Sequence, residues 1–334
     1  MTDTADNMSD PPTVWVLKDP RAGTAAQALG VAEALGYPFE VKDLDYNPLS
    51  RLPNVLIGAG TAGLTGESAR GLAGPWPDLV IAAGRRSAPV ARSIKRRSGG
   101  RSRCVQIMYP GAGGLAEFDL VAVPNHDAVP AAANLVRITG APHRLTAGTL
   151  AAARREWDGD LGRLPRPLVA LLVGGATRRR AFTAGQATTL GRQAAGLVSG
   201  GGTILATTSR RTGPEAANAL EQALNEAVPD QFRFYRFGDP PPNPYLGFLA
   251  CSDAIVVTGE SISMACEACA GGKQVYIFAP EGHLSERHGR FVAELTEAGF
   301  ARPLGDSLED WRPPGPLDTA GAVARAIKER LAIR

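Results

Sequence analysis

The stretch Gly174-Gly175-Ala176-Thr177-Arg178-Arg179-Arg180 follows six apolar residues, LVALLV, at 168–173. Glycines let backbone N–H groups approach an anion closely, and a helix start beyond them adds positive potential. Thr177 adds a hydroxyl, and Arg178 leads three charge-assisted donors. That chemistry suits a diphosphate; the bland alternative is a solvated basic turn. Two more strand-end loops share the character. TTSRRT at 207–212 holds Ser209 and Arg210, and TGESISM at 258–264 holds Ser261, Ser263 and Met264. Glu267 lies about one turn into a helix expected from near Ser263. A carboxylate there can accept from both hydroxyls of a ribose, or it is an ordinary first-turn acid on the helix dipole.

A second set falls in the first half. Asp19-Pro20-Arg21-Ala22-Gly23 follows an apolar run, with Gln27 one turn on. Gly84-Arg85-Arg86 follows LVIAA at 79–83, and His126-Asp127 follows LVAVPN at 120–125. These loops are expected to line the wall of a cleft opposite the diphosphate loops. Asp19, His126 or Asp127 could act as general base, although a lone His or Asp in a loop is more often merely solvated. From Arg85 to Arg103 run eight cations and no acid: Arg85, Arg86, Arg92, Lys95, Arg96, Arg97, Arg101 and Arg103. This is a solvated face, or a contact with an anionic membrane or lipid phosphate at roughly 1 kcal/mol per cation.

Other motifs carry less. Gly58-Ala59-Gly60-Thr61-Ala62-Gly63 fits a dinucleotide fingerprint, but the acid at the right spacing, Asp78, precedes its strand; a Gly-rich turn is expected. Cys266 and Cys269 form a CxxC with no second pair and no His at ligand spacing, so small buried residues are expected and no metal. His283 and His288 do not share a helix face well. No GxSxG elbow appears.

These residues need elements to hold them. The first half alternates apolar runs at 13–18, 39–43, 79–83, 104–108 and 120–123 with helical stretches at 24–35 and 88–97. The second half repeats this, with strands expected at 168–173, 203–207, 232–237, 254–257 and 274–278. Thr183 and Gln186, and again Thr212 and Glu215 with Pro214, have the spacing of capping boxes. Helices are also expected at 263–270, 284–298 and 320–331. Alternation of this kind implies α/β architecture with parallel sheets, whose ligands bind beyond the carboxyl ends of the strands. The expected organisation is a disordered N-terminus at 1–12, an acceptor-side domain at 13–150, a linker at 151–167, a nucleotide-binding domain at 168–315 and a final segment at 316–334.

Composition agrees. A chain of 334 residues with 44% hydrophobic content supports two cores, built mainly from aliphatic residues because aromatics are 6%. Net charge is 36 − 33 = +3, too balanced for an obligate nucleic-acid binder. No run of 18 apolar residues exists, and MTDTADNMSDPP lacks the basic and apolar regions of a secretory signal. A cytoplasmic location is expected, with the basic run allowing peripheral attachment to the inner face of a membrane.

The segments WVLKDPRAGTAAQALGVAEALG, PDLVIAAGRRSAPVA, FDLVAVPNHD, GAPHRLT, LLVGGATRRRAFT, TTSRRTGPE and NPYLGFLACSDAIVVTGESISMACEACAGGKQVYIF together resemble the mitochondrial-fission family. That family comprises the plant "elongated mitochondria" protein and bacterial relatives labelled predicted sugar-nucleotide epimerases. The pattern is also similar to two-Rossmann glycosyltransferases of the type B fold. Pro20, Met108-Tyr109-Pro110-Gly111 and Gly259-Glu260 depart from the family pattern, which usually has Asp-Gly-Arg-Ala-Gly, Gln-Asp-Pro-Arg and Ala-Asp at these places. The resemblance implies two Rossmann-like domains with parallel sheets facing a cleft, and a final helix packed toward the first. It implies a metal-independent glycosyltransferase without a cofactor, moving a sugar from a nucleotide diphosphate to a lipid or cell-envelope glycan. A non-catalytic membrane-associated partner protein and a sugar-nucleotide epimerase are the alternatives.

Overall fold

The computed structural model describes residues 11–111 and 113–332. The disorder expected at 1–12 falls on residues 1–10, outside the described residues, and on Pro11 and Pro12, which precede the first strand. The chain divides into two compact units. One holds the residues up to Ile138, Pro142–Arg144 and the segment from Thr319; the other holds Thr139–Ala141 and Leu145–Asp318.

The first unit contains β1 (Val14–Lys18), α1 (Ala22–Leu35), β2 (Phe39–Asp43), α2 (Asn54–Ile57), α3 (Gly66–Arg70), β3 (Leu79–Ala83), α4 (Ala88–Arg97), β4 (Arg103–Ile107), β5 (Leu120–Pro124) and β6 (Leu135–Ile138). Its sheet is parallel, in the order β2-β1-β3-β4-β5-β6. The strands LVIAA and LVAVP are buried along their whole length, as strands covered on both faces must be.

The second unit contains α5 (Ala147–Leu161), β7 (Leu168–Val173), α6 (Ala184–Gly196), β8 (Thr203–Thr208), α7 (Pro214–Ala227), β9 (Phe232–Tyr235), α8 (Tyr245–Cys251), β10 (Ala254–Thr258), α9 (Ile262–Cys269), β11 (Gln274–Phe278), α10 (Glu286–Glu297) and β12 (Arg302–Pro303). Its parallel sheet runs β12-β11-β10-β7-β8-β9. Counted from β7 this is the 3-2-1-4-5-6 order of a dinucleotide-binding sheet. The last helix, α11 (Thr319–Leu331), belongs to the first unit. Its Ala320, Val323, Ala324 and Ile327 pack in one core with Ala28, Val31, Ala32 and Leu35 of α1.

Several local expectations change. Residues 151–167, expected to link domains, are mostly α5, which packs on α8 so tightly that a Cβ on Gly247 would lie 2.4 Å from Trp157. The capping box at Thr183 and Gln186 forms in full. The one at Thr212 and Glu215 does not. Gly213 is the N-cap of α7, because the Thr212 hydroxyl instead donates to Val173 and Gly174 carbonyls at 3.1 and 3.0 Å.

Candidate functional site

In an open parallel sheet the crevice opens where the chain switches direction, beside the first strand. In the second unit that point lies between β7 and β10, and four strand-end loops meet there. Gly174 N–H donates to Thr258 Oγ1 at 2.9 Å, and Gly175 N–H to Glu260 Oε1 at 2.6 Å. The Thr258 hydroxyl donates to Glu260 Oε1 at 3.1 Å. His283, from the loop after β11, places Nε2 3.1 Å from Glu260 Oε2 and Nδ1 3.2 Å from the Ala181 carbonyl. From the loop after β8, the Ser209 hydroxyl donates to the Gly174 carbonyl, and Arg211 brings Nη2 to 3.8 Å from Glu260 Oε1.

The two glycines are required by this convergence. A Cβ on Gly174 would lie 2.1 Å from Glu260 Oε1. Gly175 has φ +118°, and a Cβ there would lie 2.4 Å from Arg211 backbone. Burial alone would raise the Glu260 carboxyl. The bonds from His283 and from backbone N–H groups, including that of Gly175, outweigh it and hold the group below its ordinary range.

This changes the part expected of the glycine loop. Its two amides are spent on Thr258 and Glu260, so they do not reach outward to an anion. No helix starts directly beyond it, since α6 begins only at Ala184. The helix terminus beside Gly174 is that of α9, whose N-cap Ser261 has its Cβ 2.9 Å from where a Gly174 Cβ would stand. Ser261 is buried and Ser263 exposed, whereas Met264 leans on the core. Arg178 and Arg210 are exposed, and Thr177 N–H closes a turn onto the Arg180 carbonyl. Arg210 lines a pocket of about 220 Å³ with Ser209, Pro214, Arg236 and Phe237. Glu267 sits in the second turn of α9 rather than the first, and its Oε2 accepts from the Tyr245 hydroxyl at 2.5 Å. Burial raises the Glu267 carboxyl against the opposing effect of that bond. Burial, and then the charge of Glu267, raises the Tyr245 phenol.

The switch point of the first unit lies between β1 and β3, and a buried carboxylate marks it too. Asp19, 3% exposed, takes Arg86 Nη2 at 2.7 Å and Nε at 3.2 Å, and the Arg21 N–H at 2.9 Å. Arg86 in turn stacks over Tyr46, 4.2 Å from its ring centroid. Asp19 therefore ties the loop after β3 to the start of α1. Arg85 is committed to structure: it donates to the Ser50 and Leu52 carbonyls and to Asn54 Oδ1. Gly84 has φ +79° and lies against Thr24. Arg21 and Gly23 are exposed, and Gln27 is half-buried on α1. His126 is buried with Nε2 4.0 Å from half-buried Asp127.

The run of eight cations is not a free basic face. Arg92 and Arg96 pair with Glu117, Lys95 and Arg103 with Asp119, and Arg86 with Asp19. Arg97 stacks on Trp76 at 4.7 Å, and Arg101 donates to the Ser98 carbonyl. The acids lie outside the run, so its sequence overstates its charge. That removes the observation behind membrane attachment through Arg85–Arg103. Among the described residues no helix is long and apolar enough to cross a membrane, and no group of three His, Cys, Asp or Glu is placed to hold a metal ion.

Two Rossmann-like units of parallel sheet, with the 3-2-1-4-5-6 order in the second, make this a protein of the type B glycosyltransferase architecture. The chain is similar in fold to Arabidopsis thaliana UGT89C1 complexed with UDP-L-rhamnose: 13% identity, TM-score 0.50, 97% of this chain and 92% of that one. It is also similar to the Methanocaldococcus jannaschii UDP-GlcNAc 2-epimerase in complex with UDP-GlcNAc and UDP: 13% identity, TM-score 0.52, 95% and 99%. The chain belongs to the mitochondrial fission ELM1 family, whose sequence model matches residues 22–331. It is 30% identical over 283 residues to the mitochondrial fission protein ELM1 of Arabidopsis thaliana. That match takes in 77% of this chain and spans 65% of the plant protein, less than two thirds of its length.

Proposed function

We propose that the chain binds a nucleoside diphosphate sugar on its second unit and transfers the sugar to the hydroxyl of a lipid or cell-envelope glycan. The observation that carries this is the meeting of four strand-end loops at the β7–β10 switch, beside the N-terminus of α9. Backbone N–H groups at a helix start favour an anion there, and Ser263, Thr177, Arg178 and Arg210 add donors at or near that rim. Gly174 and Gly175 serve by admitting the neighbouring loops rather than by donating. The pocket lined by Phe237 and Arg210 offers an aromatic face to the base. Glu267, with one oxygen on Tyr245, keeps the other for a ribose hydroxyl. Donors and a helix dipole can neutralise a leaving diphosphate without a metal. Solved proteins of this fold are complexed with UDP-GlcNAc and UDP or with UDP-L-rhamnose, which supports the ligand class.

A non-catalytic role is the second reading, favoured by the engagement of Asp19 with Arg86. Thermal shift and calorimetry across nucleoside diphosphates separate the two. A ligand at 100 times its dissociation constant stabilises by about 2.7 kcal/mol. Absence of binding across the panel overturns the proposal. Binding with no sugar transfer and no epimerisation leaves the non-catalytic reading.

A further inference from the structure

Glu260 and His283 take no part in the ligand contacts proposed above, yet both side chains are 0% exposed. The donor inventory at their contact does not balance for a neutral imidazole and a carboxylate. A carbonyl oxygen only accepts, so the Nδ1 facing Ala181 makes a hydrogen bond only when it carries hydrogen. A neutral ring then has a lone pair on Nε2, aimed at a carboxylate oxygen 3.1 Å away. Two acceptors at that distance repel. Oε1 does not relieve this, because it already accepts from the Gly175 N–H and the Thr258 hydroxyl. The other neutral tautomer, with hydrogen on Nε2 alone, leaves Nδ1 bare against the Ala181 carbonyl, so both contacts are satisfied only with one further proton, lying between Nε2 and Oε2.

We propose that Glu260 and His283 are a positioning pair, loaded with that one proton, which locks the loops after β7, β10 and β11 into a single arrangement. With the proton present, one carboxylate ties Gly175, Thr258 and His283 together, and Arg211 is drawn toward it from the β8 loop. Without it the ring and the carboxylate separate, and the Gly175 amide loses its acceptor. The groups facing the pair are few. Arg211 stands 3.8 Å from Oε1. Arg180 is bound to the Gly282 carbonyl next to the histidine, and the Phe182 ring packs on the imidazole at 5.5 Å. The consequence for nucleotide binding rests on the function proposed above; the proton and the latch do not.

Glu260→Gln is the informative variant. Its amide can donate to a neutral His283 Nε2 while its oxygen still accepts from Gly175 and Thr258, so it keeps every bond without the extra proton. The imidazole nitrogens of His283 are read by ¹⁵N NMR near neutral pH. Both are expected to carry hydrogen in the wild type, and only Nδ1 in Glu260→Gln. Either nitrogen bare in the wild type overturns the proposal. Hydrogen exchange then reads the latch. Protection of the Gly175 amide should fall by about tenfold or more in the wild type as alkali removes the proton, and stay level in Glu260→Gln. Equal behaviour of the two proteins also overturns it. UDP affinity by calorimetry is expected to follow the same profile. Failure of UDP to bind at any pH sinks the nucleotide reading alone, since the NMR and exchange results still decide the pair.

Discussion

At the scale of single residues, a buried carboxylate stands beside the switch point of each sheet. Asp19 follows β1 and Glu260 follows β10, on opposite sides of their switch points, and each holds the loop across the switch rather than facing solvent. The glycines around Glu260 are therefore under steric control. Gly174→Ala should destabilise the protein by about 1–3 kcal/mol, the usual cost of forcing extra volume into a packed site. Gly185→Ala, in the first turn of α6 where an added Cβ would meet only Thr183 Oγ1 at an ordinary 3.9 Å, should stabilise by about 0.4–1 kcal/mol. Urea unfolding of the pair checks both signs. For the ligand, Arg178→Ala should weaken nucleoside diphosphate binding by about 1.5–3 kcal/mol, measured by calorimetry, as the loss of a charged hydrogen bond. Glu267→Gln should weaken ribonucleotides by about 1–3 kcal/mol and 2′-deoxy analogues by less. Equal losses for both ligands would show that Glu267 serves only Tyr245.

At the scale of elements, what the sequence makes legible is what is local. LVALLV reads as β7 because six consecutive apolar residues have no other use in this fold, and Thr183 with Gln186 reads as a cap because the partners are three residues apart. β6 escapes because four residues with a central arginine show no period, and β12 because it has only two residues. The site pair escapes because His283 is 23 residues from Glu260, with a whole strand between them. The same distance misleads at α4, whose cations meet acids from the far end of β4 onward. Arg92→Glu sets a new carboxylate against Glu117 at a position 7% exposed. It should cost about 3 kcal/mol or more in thermal unfolding, so reversing these charges tests the fold before any surface. Lys273 offers a pH readout. Its ammonium donates to the Leu249, Ala250 and Ser252 carbonyls at the end of α8. Burial, and then Arg154, pushes its pKa down to about 8 from 10.5. Between those values the unfolded chain binds more protons than the folded one, so stability contributed by this group rises with pH and is lost again as pH falls through about 8. Denaturant titrations across that range should show a steeper rise for the wild type than for Lys273→Met. The variant should also be less stable throughout, because three carbonyls lose their donor.

At the scale of the whole molecule, the first unit is split by nearly the whole of the second, whereas the second is interrupted only by Pro142–Arg144. α11 supplies Val323 and Ile327, both 0% exposed, to a core that otherwise comes from residues before 139. Truncation after Asp318 should leave the apolar face of α1 bare, with the first unit unfolding at lower temperature while the second keeps its own transition; calorimetry resolves the two. A uniform downward shift of both transitions would contradict this. During synthesis the ribosome therefore delivers the first unit's sheet before the second unit and its closing helix after it. The second unit emerges complete and can settle while the first still waits with an open core. For this chain, the half that is translated first is the half that matures last.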